Sequence, residues 1–338
     1  MDKAILYTLS PFPGIMRALA LTLVLLAAAA PAQQTTSKPA QQSAQKPRNS
    51  DQRRNIVFGN ISRQAVDFLL KPVPQPDALR LAQLKQSFSD MECRDSLHEQ
   101  PVGESKNLIC TLPGTAPELV PGPAGKRVRN PNHGTILFLA HYEHVGPGQS
   151  AIDNWSGAVM LPCLYLALAP ATRNHTFLFA EVDGEAGAKA LFDSLTPAER
   201  HAVKAVVSLD ALGLGPAQFY INPNDSLSSY GLAFLQRQLL QAAADQRIGA
   251  PAPAIPGSWQ KIDLTREFRH RSIPSILIHS VTMTTRDIPG SSRDTVSAID
   301  HDVYFSTLTL LSYYGAELDQ PWPQDSSTTL TTPSGRRR

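Results

Sequence analysis

The stretch Gly134–Gly157, GTILFLAHYEHVGPGQSAIDNWSG, limits the possible folds more than any other part of this chain. It opens with Thr135-Ile136-Leu137-Phe138-Leu139-Ala140, an apolar run short and β-rich enough for a buried strand. The run stops at His141, and a Gly146-Pro147-Gly148 turn follows. After the turn come Asp153 and an apolar helical pattern from Gly157 to Ala169. A buried strand ending in an imidazole, followed by a helix that begins just after a carboxylate, fits an open α/β sheet. In such sheets ligands bind beyond the carboxyl ends of the strands, which would put His141 and Asp153 on one rim.

The same alternation continues down the chain. Thr176–Ala180 reads as a strand, Ala186–Ser194 as a helix, and Val203–Leu209 as a strand ending at Asp210. Gln218–Ile221 reads as a short, edge-type strand, Leu227–Gln246 as a long helix, Ser275–Ile278 as a strand ending at His279, and Ser297–Leu318 as the last helix. Upstream, Asn55–Leu70 and Asp77–Phe88 have helical periodicity, and Asn107–Leu112 is strand-like. The expected architecture is α/β: a mostly parallel twisted sheet flanked by helices on both faces. His141, Asp153, Asp210 and His279, with Glu185 in the turn after the Thr176 strand, then converge on one sheet edge. Any one of them alone would be an ordinary turn former or helix cap.

The ends have a different character. Arg17 precedes an apolar run from Ala18 to Ala30, and Ala30-Pro31-Ala32 is a small-x-small cleavage pattern. Met16-Arg17 is an alternative start of the same signal. The expected organisation is a signal peptide over 1–32, a disordered linker over 33–52, a catalytic-type domain over 53–319 and a flexible tail over 320–338. The apolar run is shorter than a membrane span, so a secreted or periplasmic protein, free of the membrane after cleavage, is expected. Export implies an oxidising compartment. Cys93 and Cys110 lie in segments able to pair as neighbouring strands, and a disulfide between them is expected. Cys163 falls on the apolar helix as a buried thiol. The net charge is +2 and no basic stripe is interleaved with aromatics, so nucleic acid is not an expected partner. Nothing in the sequence fixes an oligomeric state.

Several segments resemble the M28 family of zinc metallopeptidases, the aminopeptidase type. His141-Tyr142-Glu143-His144-Val145-Gly146 is similar to the family's HYDHxG, and Ala151-Ile152-Asp153-Asn154-Trp155-Ser156-Gly157-Ala158 to its GADDNASGxA. Phe179–Ala186 resembles the strand leading to a double glutamate, and Val207–Asp210 the next ligand strand. Ser272-Ile273-Pro274, and Asp294-Thr295 with Ile299-Asp300, resemble later segments. Glutaminyl cyclases are similar over the same stretches.

The resemblance implies a peptide substrate and a metal site of His141, Asp153 and Asp210, with Asp153 as the residue that bridges two zinc ions in the family. Glu185 would be the general base. Glu143 stands where an aspartate usually orients the histidine, and His144 and His279 are supporting candidates. The second metal would need a second glutamate and a late histidine, and these positions hold Ala186 and Gly290. One zinc ion rather than two is therefore implied. A different alignment matches Gly187 to the glycine after the glutamate pair. It would make Glu185 a metal ligand and put Gly184 in place of the base. The first alignment is preferred because it pairs the loss at Ala186 with the loss at Gly290. The implied activity is removal of N-terminal residues by metal-activated water. The alternatives are a binding domain that no longer catalyses and, ranked lower, a glutaminyl cyclase. Asn154-Trp155-Ser156-Gly157 is not a G-x-S-x-G nucleophile elbow, so Ser156 is expected to begin the helix.

Overall fold

The computed structural model describes residues 58–115, 119–121, 126–129, 133–222, 229–320 and 322. The expected signal segment and linker lie outside the described residues. Along the chain the elements are α1 (Arg63–Leu70), α2 (Asp77–Asp90), β1 (Leu97–Val102), β2 (Ser105–Leu112), β3 (Leu119–Pro121), β4 (Arg127–Arg129), β5 (Thr135–His141), α3 (Ser156–Leu168), β6 (Thr176–Val182), α4 (Gly184–Ser194), α5 (Pro197–Ala202), β7 (Val203–Leu209), β8 (Gln218–Tyr220), α6 (Ser229–Asp245), β9 (Ala252–Pro253), α7 (Arg266–Arg269), β10 (Ser275–His279) and α8 (His301–Leu318).

Eight strands form one mixed sheet in the order β1-β2-β6-β5-β7-β10-β8-β9. The central strands β6, β5, β7 and β10 are mutually parallel. Strands β1 and β2 add antiparallel at one edge, and β8 runs antiparallel to β10 near the other. From β5 the chain crosses to β6 on one side and later to β7 on the other, so β5 is the switch point of the sheet. That is where a ligand crevice opens in folds of this kind.

Alternation along β5 separates two cores. Ile136, Phe138 and Ala140 pack with α3, α6 and α8, while Leu137 and Leu139 pack with Leu191, Phe192 and Phe268 of α4 and α7. Helix α3 is apolar all round because it lies between the sheet and α8. The Ala151–Leu168 segment is 94% buried, which explains its membrane-like composition.

Several boundaries differ from the sequence-based expectation. Helix α1 starts at Arg63, where the Ser62 hydroxyl accepts from the Ala65 N–H. Asp300 caps α8 through the N–H groups of Asp302 and Val303, which delays that helix to His301. Strand β6 runs on through Glu181 and Val182, two residues past its expected end. Cys93 and Cys110 are disulfide-bonded, but Cys93 lies just beyond α2 rather than on a strand. Cys163 is a buried thiol whose pKa burial pushes up to about 12. At the start of the expected tail, Trp322 is buried against Phe234 with ring centroids 4.2 Å apart.

Candidate metal centre

Sheet topology brings three of the expected residues together. His141 is the last residue of β5, and Asp210 follows β7, the neighbouring strand. Asp153 lies in the Ala151–Trp155 turn that leads into α3. Each of the three offers a donor atom, and these atoms all lie within 4.8 Å of one another. His141 Nε2 is 3.2 Å from Asp153 Oδ1 and 3.7 Å from Asp210 Oδ1. On the other side of the ring, Nδ1 is 3.3 Å from Glu143 Oε2. That contact is an ion pair without hydrogen-bond geometry, and a carboxylate on that side of the ring favours Nε2 as the ligand atom.

All three residues are buried. His141 Nε2, Asp153 Oδ2 and Asp210 Oδ1 have no hydrogen-bond partner of good geometry. Buried polar atoms are normally paired, so His141 Nε2 and Asp210 Oδ1, both orphaned and gathered with a carboxylate oxygen of Asp153, call for a cation. One imidazole with two carboxylates, close together and dry, suits zinc and leaves an open coordination position.

The electrostatics agree. Burial works against a charged imidazole, but Glu143, Asp153 and Asp210 outweigh it and hold the His141 pKa well above its ordinary value. Burial, aided by Asp153, pushes the Asp210 carboxyl up to about 6. Without metal, a proton on His141 compensates the acidic cluster, and a metal ion would displace it.

The supports of the site had little or no signal in the sequence. Asp294, fully buried, accepts from the backbone N–H of Ile152 at 2.6 Å, of Asp153 at 3.2 Å and of Gly290 at 2.8 Å. It therefore fixes the Asp153 turn and the Gly290 loop together. Arg80, also fully buried, donates from α2 to the carbonyls of Pro74, Tyr142 and Gln149. Asp77 accepts from the His144 N–H. Asp294 had a partial signal in its place in the resembling segment. Arg80 had none, since an arginine on a surface-type helix reads as exposed.

The remaining candidates have other surroundings. Glu185 lies in the first turn of α4, three residues beyond Val182, which pairs with His141. Its Oε1 accepts from the Asp263 N–H at 3.2 Å, and its Oε2 is ion-paired with Arg266. Glu143 also accepts from the Gly184 N–H, which ties the start of α4 to the end of β5. The His144 ring contacts the Gly148 carbonyl at 2.8 Å and shapes the turn. His279 is not in the cluster of donor atoms. Burial lowers its pKa to about 4, its ring lies against Trp259, and its Nδ1 accepts from the Val281 N–H. Ala186 is exposed on α4. Glu181, one residue before Val182, is completely buried with both oxygens unpartnered, and burial raises its pKa well above the ordinary range.

Residues 124–313 match the profile of peptidase family M28. The chain belongs to that family. In fold, this M28 member is similar to a zinc aminopeptidase from Bacillus subtilis, with 17% identity, a TM-score of 0.51, and coverage of 63% of this chain and 50% of that one. The chain thus spans about half the length of that relative. It is also similar to the LapA aminopeptidase of Legionella pneumophila, with 15% identity, a TM-score of 0.55, and 78% and 76% of the two chains covered. A glutaminyl cyclase from an Acidobacteriales bacterium aligns over 84% of this chain and 98% of its own, at 18% identity and a TM-score of 0.55. No curated protein matches the sequence at a significant level. Membership in M28 and the α/β fold agree with the reading of the sequence, and the His141–Asp153–Asp210 cluster is the candidate site for the family's zinc.

Proposed function

We propose that this M28 protein is an exported hydrolase that holds one zinc ion and removes amino-terminal residues from peptides. The observation that carries the reading is the buried cluster of His141, Asp153 and Asp210, whose donor atoms gather within 4.8 Å of one another, with His141 Nε2 and Asp210 Oδ1 unpartnered. Zinc held there would lower the pKa of a water to ~7 and polarise a carbonyl. The remaining roles belong to the protein. Glu143 keeps the Nε2 of His141 turned to the site. Asp294 holds the backbone of Asp153 in place. Glu185 would take a proton from the attacking water and return it to the leaving amine. To do so it must give up Arg266, as a substrate entering between α4 and the Asp263 loop would require.

That ion pair favours a second reading, in which the domain binds peptides without cleaving them. The near-complete alignment with a cyclase keeps a third reading in view, closure of an amino-terminal glutamine with release of ammonia. Metal analysis and turnover on one preparation of the wild-type protein separate the three. One zinc per chain with hydrolysis of aminoacyl or peptide substrates is expected. Zinc with no hydrolysis supports the binding domain. Ammonia released from glutaminyl peptides supports the cyclase. A folded protein that takes up no zinc overturns the metal assignment itself.

A further inference from the structure

Only one oxygen of Asp153 faces the cluster. Oδ1 is the atom near His141, whereas Oδ2 is buried and has no hydrogen-bond partner. The surroundings of Oδ2 are marked out by Gly290. A Cβ at that residue would lie 3.5 Å from Asp153 Oδ2 and 3.1 Å from Lys261 Nζ. The ammonium and the free carboxylate oxygen therefore flank the same point in space, on the side of Asp153 away from Oδ1. A side chain at Gly290 would fall between them. The backbone discourages one, because φ there is +65°, a conformation that suits glycine.

Lys261 does not act alone. It belongs to the segment that supplies the Asp263 N–H and the Arg266 guanidinium to Glu185. One strap of chain thus sets Lys261 near Asp153 and Arg266 against Glu185. Arg266 is committed to Glu185. Lys261 is exposed, and its compact ammonium has three donors on a flexible stem.

We propose that Lys261 is the cation for the free oxygen of Asp153 and a specificity-determining residue of the site, selecting peptides whose amino terminus is acylated rather than charged. The acyl oxygen of a blocked terminus accepts a hydrogen bond from Nζ. A protonated terminal amine at the same place meets the like charge of the Lys261 ammonium. The substrate class rests on the hydrolase reading given above; the role beside Asp153 does not.

Two measurements on wild type, Lys261→Met and Lys261→Arg test it. The first is zinc affinity, by titration against a competing chelator. The second is the ratio of kcat/KM for N-acetyl-alanine p-nitroanilide to that for alanine p-nitroanilide. Removing a unit charge a few ångströms from the metal ion should tighten zinc binding about tenfold. Wild type should prefer the acetylated compound, and Lys261→Met should lower the ratio by about tenfold or more. Lys261→Arg, which keeps the charge, should stay near wild type in both. Unchanged zinc affinity in Lys261→Met overturns the proposed pairing with Asp153. A wild-type preference for the free amine, or a ratio that Lys261→Met leaves unaltered, overturns the selectivity. If wild type binds zinc but cleaves neither compound, the hydrolase reading has failed and the selectivity falls with it, while the zinc titration still decides the role beside Asp153.

Discussion

The two oxygens of Asp153 look onto two differently built halves of one site. Around Oδ1 the protein is dense and anionic, with His141 and Asp210 close by and buried, and Glu143 half-buried behind the ring at Nδ1. Around Oδ2 lie Gly290 and an exposed lysine, on the same segment of chain that holds Glu185 through Arg266. The first half needs a cation from outside. The contrast is that, among the described residues, the carboxylate groups of the first half gather without a lysine or arginine partner, whereas in the second half cationic side chains of the chain itself stand beside the carboxylates.

The comparison breaks most directly at Asp153. Replacement by Asn keeps the shape and removes the charge that both halves use. Asp153→Asn should lose most of its bound zinc and all detectable hydrolysis, and a folded mutant with undiminished zinc would end the assignment. Glu185→Gln acts on the second half only. It should keep zinc while turnover falls by about 10²–10⁴-fold, the contribution typical of a general base. If zinc is lost as well, Glu185 is a ligand and the alignment through Gly187 is the right one.

Acidity should distinguish the halves more gently. Zinc needs Asp210 ionised and His141 neutral, and both hold their protons to higher pH than usual. As pH drops, affinity should therefore begin to fall above the usual imidazole range, as His141 takes up its proton, and fall further through about 6 as Asp210 does, and binding should release protons. Calorimetry in buffers of different ionisation enthalpy would detect that release. Equal heats in all buffers would contradict the protonated metal-free state.

The smallest effect is expected at Glu181, beneath the intact half. Its carboxyl pKa is raised in the fold, so the protein loses stability as pH rises from the unfolded-state value of about 4.3 toward the folded one. Glu181→Gln should be more stable than wild type at pH 7 and equally stable below pH ~4, where the wild-type carboxyl is protonated in both states. Denaturant melts at the two pH values would show whether the gain disappears on acidification.

The central sheet was legible because its strands are continuous apolar runs. Val203–Leu209 has the bounds expected from composition alone. Strand β1 was not legible, because Leu97-His98-Glu99-Gln100-Pro101-Val102 has no alternation and becomes a strand only by pairing with β2. The end of β6 was misplaced for a related reason. Glu181 reads as the polar end of a strand, whereas the fold buries it as a neutral acid. His141, Asp153 and Asp210 could be found because each follows a recognisable strand or turn. Lys261 could not, since only the folded chain sets it beside Gly290 and Asp153, and a lysine in an exposed loop carries no local signal.

Helix α2 joins two distant features. Just past its far end, Cys93 is bonded to Cys110 on β2. In its first turn, Asp77 and Arg80 hold the loop that leaves His141. The cross-link thus bolts to the sheet the helix that grips that loop, although neither sulfur is near a ligand atom. The oxidation history of a preparation then becomes a hidden variable in its metal chemistry. Protein made in a reducing cytosol and protein made in an oxidising compartment would share one sequence and differ in how firmly the loop behind the histidine is held.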